Sequence, residues 1–327
     1  MTPKIAVTRE VFQEVLDHLA QHFEVAHNQD DEPCTPDRLA SLLKDKQGAL
    51  TTIVDRVDET LLEQCPKLKA VCNIAVGTDN IDLSACTRRG VMATNTPGVL
   101  DDTTADFTFA LMLATARRVT EAEAALRAGQ WQRWQLKQFL GVDVHGATLG
   151  LIGMGRIGQA VARRARGFDM RIIYHNRHRL DADTEAGCGA TYAGRDELLD
   201  QADFVVLLVR YSPATHHLIG AGELSLMKRS AILINVARGV VDDAALIAAL
   251  RDGTIAAAGL DVYENEPKLH PGFLALKNVV LTPHIASSST ATRKRMAMTA
   301  TENLIAALTG KTPPNLLNPD ALKFVRE

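Results

Sequence analysis

Six runs in the second half of the chain, TLGLIG, MRIIYH, ADFVVLLV, SAILINVA, AAAGLDVY and NVVLTPH, are apolar almost without interruption. A strand wetted on one face alternates apolar and polar residues, whereas a continuous apolar run of this length fits a strand buried on both faces. Stretches with helical spacing separate these runs. Consecutive strands are therefore expected to be parallel, with helices covering both faces of the sheet. The first half carries the same rhythm on shorter runs, at 4–8, 48–54, 70–73 and 91–93, with helical spacing over 11–22, 36–44 and 59–64. With 327 residues the chain exceeds one ordinary domain. The expected fold class is α/β, with two doubly wound parallel-sheet domains.

Composition narrows the function classes. A net charge of −3 gives no reason to expect a nucleic-acid partner. No run of about 18 apolar residues exists, so no membrane span is expected, and the N-terminus enters a strand-like KIAVT without an apolar leader. Five cysteines (Cys34, Cys65, Cys72, Cys86, Cys188) are widely spaced and none forms a CxxC pair. That argues against a disulfide framework or a cysteine-based metal site and for a reducing, cytoplasmic setting. No metal ligand set is expected.

Between the two halves the texture changes. After Pro97-Gly98 one long helix is expected over 101–128, rich in Ala and Leu, with Asp101, Asp102, Thr103 and Thr104 as N-cap candidates. An arm follows, GQWQRWQLKQFLGVDVHG, holding both tryptophans, Trp131 and Trp134. A last helix is expected over 289–309, ahead of a polar tail.

The run TLGLI leads into Gly153-Met154-Gly155-Arg156-Ile157-Gly158, and a helical stretch follows over 159–167. In this G-x-G-x-x-G pattern the first glycine makes a tight turn. The second lets a pyrophosphate approach the backbone, and the third lets helix and strand pack closely. The helix N-terminus then offers free N–H groups to the phosphates. A dinucleotide is the expected cofactor. An acid about 20 residues past the loop usually binds the ribose 2′-hydroxyl. Here that place, 22 residues beyond Gly153, is His175, and Asn176, Arg177, His178 and Arg179 follow. A basic strand end without an acid suits a 2′-phosphate. Charge-assisted bonds of roughly 1.5–3 kcal/mol each would favour NADP(H) over NAD(H). Arg210, at the end of FVVLLV, is a second candidate phosphate contact.

Three later strand ends carry polar residues in apolar settings: NVARG with Arg238, GLDVYENEP with Asp261 and Glu266, and TPHIASS with His284. Ligands of open α/β sheets sit at such carboxyl ends. An arginine there can hold a carboxylate or polarise a carbonyl. A histidine can transfer a proton near neutral pH, and a glutamate can orient it.

With NIAVGTDNID (73–82), NTPGVLDDTTADFTFALMLATAR (95–117), GMGRIG, NVARG, GLDVYENEP and TPHIASS in this order, the chain resembles the D-isomer-specific 2-hydroxyacid dehydrogenases. Within that family it is most similar to bacterial glyoxylate/hydroxypyruvate reductases, which also act on 2-ketogluconate. The resemblance covers essentially the whole chain and implies a Rossmann-type cofactor domain, residues 99–287, inserted in a flavodoxin-like substrate domain, residues 1–98 plus 288–327. It implies that Arg238, Glu266 and His284 are catalytic, and that backbone N–H groups of Val76 and Gly77 join Arg238 in binding the substrate carboxylate. Asp261 would contact the nicotinamide carboxamide. A homodimer is implied, with the tryptophan arm at its interface or with Trp134 lining the neighbouring subunit's substrate pocket. Two positions depart from the family pattern: Arg210 stands where a proline is frequent, and ASSS follows PHI where a glycine–serine pair is more common. Two other readings compete, a dehydrogenase of phosphite or another small anion, and a dinucleotide sensor without catalysis.

Overall fold

In a computed structural model, residues 2–32 and 34–324 are described. The end of the polar tail, residues 325–327, lies outside them. The chain divides into two compact units: residues up to Leu100 together with residues from Ser289 form one, and Asp101–Ser288 form the other.

The first unit holds a five-stranded sheet of β1 (Lys4–Val7), β2 (Glu24–His27), β3 (Gly48–Thr51), β4 (Ala70–Asn73) and β5 (Met92–Thr94). Its order is β2-β1-β3-β4-β5, and every pairing is parallel. Residues alternate between two apolar cores. Ala6, Ala49, Val71 and Ala93 face one, while Ile5, Val7, Leu50 and Cys72 face the other, with Ala297, Ala300 and Leu304 of the helix Thr290–Leu308. That helix is capped by the Ser289 hydroxyl, which accepts the Thr292 N–H.

The second unit holds seven parallel strands, β6 (Thr148–Ile152), β7 (Arg171–His175), β8 (Ala190–Tyr192), β9 (Phe204–Leu207), β10 (Ile232–Asn235), β11 (Ala257–Leu260) and β12 (Val279–Leu281), in the order β12-β11-β10-β9-β6-β7-β8. The order reverses between β6 and β9, so this is the switch point where a doubly wound sheet binds its ligand. The six apolar runs all become strands. Val205, Leu207 and Leu233 face one core and Phe204, Val206, Ile232 and Ile234 the other, which is why the runs read as apolar throughout.

Two edge strands, β2 and β8, escape the pattern. Both are short and half-wetted, with burial that mixes exposed and covered positions. The long helix expected over 101–128 is two helices, Asp101–Ala116 and Val119–Arg127. No residue between them is a helix breaker. Arg118 takes a left-handed conformation (φ 54°), and the Ala116 carbonyl, which would serve the next turn, accepts the Val142 N–H from the arm (2.9 Å). The Arg118 guanidinium bonds Glu121 and lies over the Phe139 ring. The break is thus imposed by tertiary contact with the arm. Among the described residues no helix is long and apolar enough to cross a membrane.

A Cβ on Gly141 would lie 2.2 Å from the Ala116 carbonyl oxygen. Gly141→Ala is expected to destabilise the protein by about 1–3 kcal/mol through overpacking, read by urea unfolding. Unchanged stability would mean that the arm does not dictate the helix break.

Candidate functional site

The turn after β6 is built by its glycines. Gly153 has φ 106°, and a Cβ there would lie 2.7 Å from the Leu208 carbonyl carbon. A Cβ on Gly158 would lie 2.3 Å from the Gly153 carbonyl oxygen. Nothing lies within 4 Å of a Cβ placed on Gly155, so this face of the turn is open to a ligand. The helix Arg156–Ala165 starts at Gly155 with no side-chain cap, which leaves its first N–H groups and positive dipole end for an anion. Arg156 is exposed and Ile157 half-buried at this end. An open cradle beside an uncapped helix start fits the pyrophosphate of a dinucleotide.

The end of β7 holds that turn in place. The Gly153 N–H donates to the His175 carbonyl (3.0 Å) and the Met154 N–H to Asn176 Oδ1 (2.7 Å). Asn176 is therefore a support of the glycine loop, a role sequence reasoning missed. Arg177 is exposed. Arg179 is engaged within the chain. Its Nε and Nη2 donate to the two Glu185 carboxylate oxygens, both at 2.8 Å, and its guanidinium lies over the Tyr192 ring. The Tyr174 hydroxyl donates to the same carboxylate (2.6 Å). Arg179 first, and Tyr174 second, hold the Glu185 carboxyl down at about 2. Arg210 is exposed beyond β9, and its carbonyl accepts the Thr215 hydroxyl.

The ends of β10, β11 and β12 carry the other candidates side by side in the sheet order. Arg238 follows β10 in a turn where the Ala237 N–H donates to Asn235 Oδ1 and where Gly239 has φ 70°. Glu266 lies past β11. One of its oxygens accepts the Tyr263 N–H (2.9 Å) and the other meets His284 Nδ1 (2.7 Å). His284 follows β12 with a left-handed backbone (φ 54°), uncommon for a residue with a Cβ. Its N–H donates to the Asp261 carbonyl (2.9 Å). With Nδ1 committed to Glu266, Nε2 is the nitrogen left to exchange a proton with another molecule.

Asp261 is fully buried, and its carboxylate accepts the Thr282 hydroxyl (2.7 Å), the Ile285 N–H (2.9 Å) and the Ala286 N–H (2.8 Å). Burial pushes this carboxyl up, and the Ile285, Thr282 and Ala286 donors pull it back down. It staples the His284 turn to β11, a second role missed at the sequence level. The visible signal was an aspartate inside an apolar run, since a buried carboxylate must find donors.

Val76 and Gly77 lie in the other unit. The Val76 carbonyl accepts Asn95 Nδ2 (2.9 Å) and the Gly77 carbonyl accepts Asn73 Nδ2 (3.1 Å). In a planar trans peptide, holding the Val76 carbonyl on one side turns the Gly77 N–H to the other. Trp134 stands on the arm, 74% exposed, near Trp131 at 54% and Leu136 at 74%.

A family model described as the NAD-binding domain of D-isomer specific 2-hydroxyacid dehydrogenases matches residues 109–286. A glyoxylate reductase of Korarchaeum cryptofilum is 48% identical across 99% of this chain and 98% of its own. Among solved structures, an NADPH-dependent glyoxylate/hydroxypyruvate reductase from Sinorhizobium meliloti, in complex with NADP and malonate, superposes with a TM-score of 0.86. It is 34% identical and covers 100% of this chain and 99% of its own. A Thermus thermophilus protein superposes with a TM-score of 0.89 at 42% identity, over 96% of this chain and 99% of its own.

The Glu185 carboxyl lies below its ordinary value of 4.5 in the folded protein. Its stabilising contribution is therefore complete above that value and is lost as pH falls from 4.5 toward about 2. Glu185→Gln is expected to be less stable than the parent at pH 7, with the gap closing below 4.5 in urea titrations. A gap that stays constant with pH would contradict the pairing.

Proposed function

We propose that this chain, which belongs to the D-isomer specific 2-hydroxyacid dehydrogenase family, reduces glyoxylate and other small 2-oxoacids to D-2-hydroxyacids with NADPH. Hydroxypyruvate and 2-ketogluconate are the further substrates proposed. The observation that carries the reading is the 2.7 Å contact between His284 Nδ1 and Glu266 Oε2. The similarity to glyoxylate reductases over nearly the whole chain supports the substrate class.

When bound, the nicotinamide would supply a hydride to the substrate's carbonyl carbon. Protonated His284 gives its Nε2 proton to the carbonyl oxygen, and solvent later restores it. Glu266 holds the ring through Nδ1, fixing which nitrogen faces the substrate. Arg238 holds the substrate carboxylate and carbonyl as a planar fork of donors. Backbone N–H groups at Val76 and Gly77 are the further donors proposed for the substrate carboxylate. Discrimination among the three oxoacids falls to whatever meets the substituent beyond the carbonyl.

Toward the cofactor, Gly153, Gly155 and Gly158 shape the turn, and the N–H groups at Arg156 and Ile157 would hold the pyrophosphate. Arg177, exposed at the strand end, meets the 2′-phosphate. Arg179, here paired with Glu185, and Arg210, exposed beyond β9, are the further side chains proposed for that phosphate. The resemblance gives Asp261 a contact with the nicotinamide carboxamide, but the residue has no exposed surface and its carboxylate is taken by the Thr282, Ile285 and Ala286 donors, so its proposed role is to hold the His284 turn. The active form is a homodimer, supported by the apolar arm that exposes Trp131, Trp134, Leu136 and Leu140. Free thiols at Cys34, Cys65, Cys72, Cys86 and Cys188 suit the cytoplasm.

The test crosses NADPH and NADH with glyoxylate, hydroxypyruvate and 2-ketogluconate in initial-rate assays. Fast NADPH-dependent reduction is expected with at least one acid. No turnover with either cofactor would refute the reading. Arg177→Ala is expected to raise KM for NADPH about tenfold or more, as for loss of one charge-assisted contact, and to leave KM for NADH within a factor of about two. Equal changes for both cofactors would make Arg177 a surface residue.

A further inference from the structure

Beyond β9, the segment Tyr211–Leu218 folds back toward the strand ends. There His216, His217 and Glu264 bring one ligand atom each to within 4.8 Å of one another. His217 Nε2 lies 2.8 Å from Glu264 Oε1, and the two imidazoles stack at 3.9 Å with their planes 23° apart. His216 is exposed, so the cluster can be reached from solvent.

The backbone holds these side chains in position. His217 sits in a left-handed conformation (φ 49°), and its N–H donates to the Gly239 carbonyl. The His216 N–H donates to the Ser212 carbonyl, and the Glu264 N–H to the Asp243 carboxylate. The Tyr211 ring stands edge-on to His216 at 5.9 Å. A histidine–glutamate pair alone is satisfied as a surface hydrogen bond. The second histidine, stacked on the first and set on the same side, adds nothing to that pair, but it completes a three-ligand set.

We propose that His216, His217 and Glu264 form a binding site for a divalent transition-metal ion of the zinc class, separate from the Glu266–His284 pair. Zinc takes histidine nitrogens and carboxylate oxygens at about 2.0–2.2 Å, which sets tetrahedral ligand atoms roughly 3.4 Å apart. The three ligand atoms, all within 4.8 Å of one another, bracket that separation. Two nitrogens and one oxygen select zinc, nickel or copper over magnesium or calcium. The fourth position would be water, so the ion is exchangeable. Bound there, it would clamp the Tyr211–Leu218 segment to the β11 end, two residues before Glu266.

The test is calorimetric titration of zinc ion into the full-length, cofactor-free protein, with thermal melts in parallel. Expected are one zinc bound per chain through this site at micromolar Kd and a zinc-induced rise in Tm. In both His216→Ala and His216→Gln this Kd should weaken at least tenfold and the Tm rise should vanish. Their zinc-free Tm should match the parent, which checks that both fold. A parent with no saturable site below about 100 μM zinc would overturn the proposal. So would variants that bind zinc with unchanged Kd and stoichiometry, because the ion would then sit elsewhere, including at His284.

Discussion

Asp261 has no exposed surface, yet its carboxylate accepts three hydrogen bonds from the turn that carries His284. The backbone of the same residue accepts the His284 N–H. Residue 261 therefore grips the turn at both ends, through side chain and main chain. Charge-assisted bonds of this kind contribute about 1.5–3 kcal/mol each, enough to hold His284 in a left-handed backbone that costs about 1–3 kcal/mol. Without that grip the imidazole would have no fixed approach to Glu266.

The same logic is repeated at the glycine loop. Two backbone N–H groups, of Gly153 and Met154, are held by the end of the next strand through His175 and Asn176. In both places the chemical group stands on a turn, and a polar residue one strand away fixes the turn. Parallel strands allow this because all their carboxyl ends fall on one edge, so loops from adjacent strands meet. The candidate residues Arg238, Glu266 and His284 follow three neighbouring strands, and Glu266 and His284 meet at 2.7 Å.

The sheets were legible because burial on both faces leaves an unbroken apolar run, as in FVVL and ILIN. The two short edge strands were not, since EVAH is half-wetted and reads as loop. The break at Arg118 was illegible for a different reason. It depends on an N–H from Val142, which no local pattern encodes. The contact between Glu266 and His284 could be anticipated from residue types at strand ends. The pairing of Arg179 with Glu185 could not, because the acid lies on the following helix and nothing in HNRHR points to it.

In the proposed 2-oxoacid reduction, Glu266 holds His284 so that the imidazole donates the proton. The most direct measurement compares kcat and KM for hydroxypyruvate reduction by the parent and Glu266→Gln, at saturating NADPH. The amide keeps the shape and removes the charge. Expected is a kcat lower by about 10²–10⁴-fold, the usual range for a positioned general acid, with KM within about threefold. A kcat within threefold of the parent would contradict it.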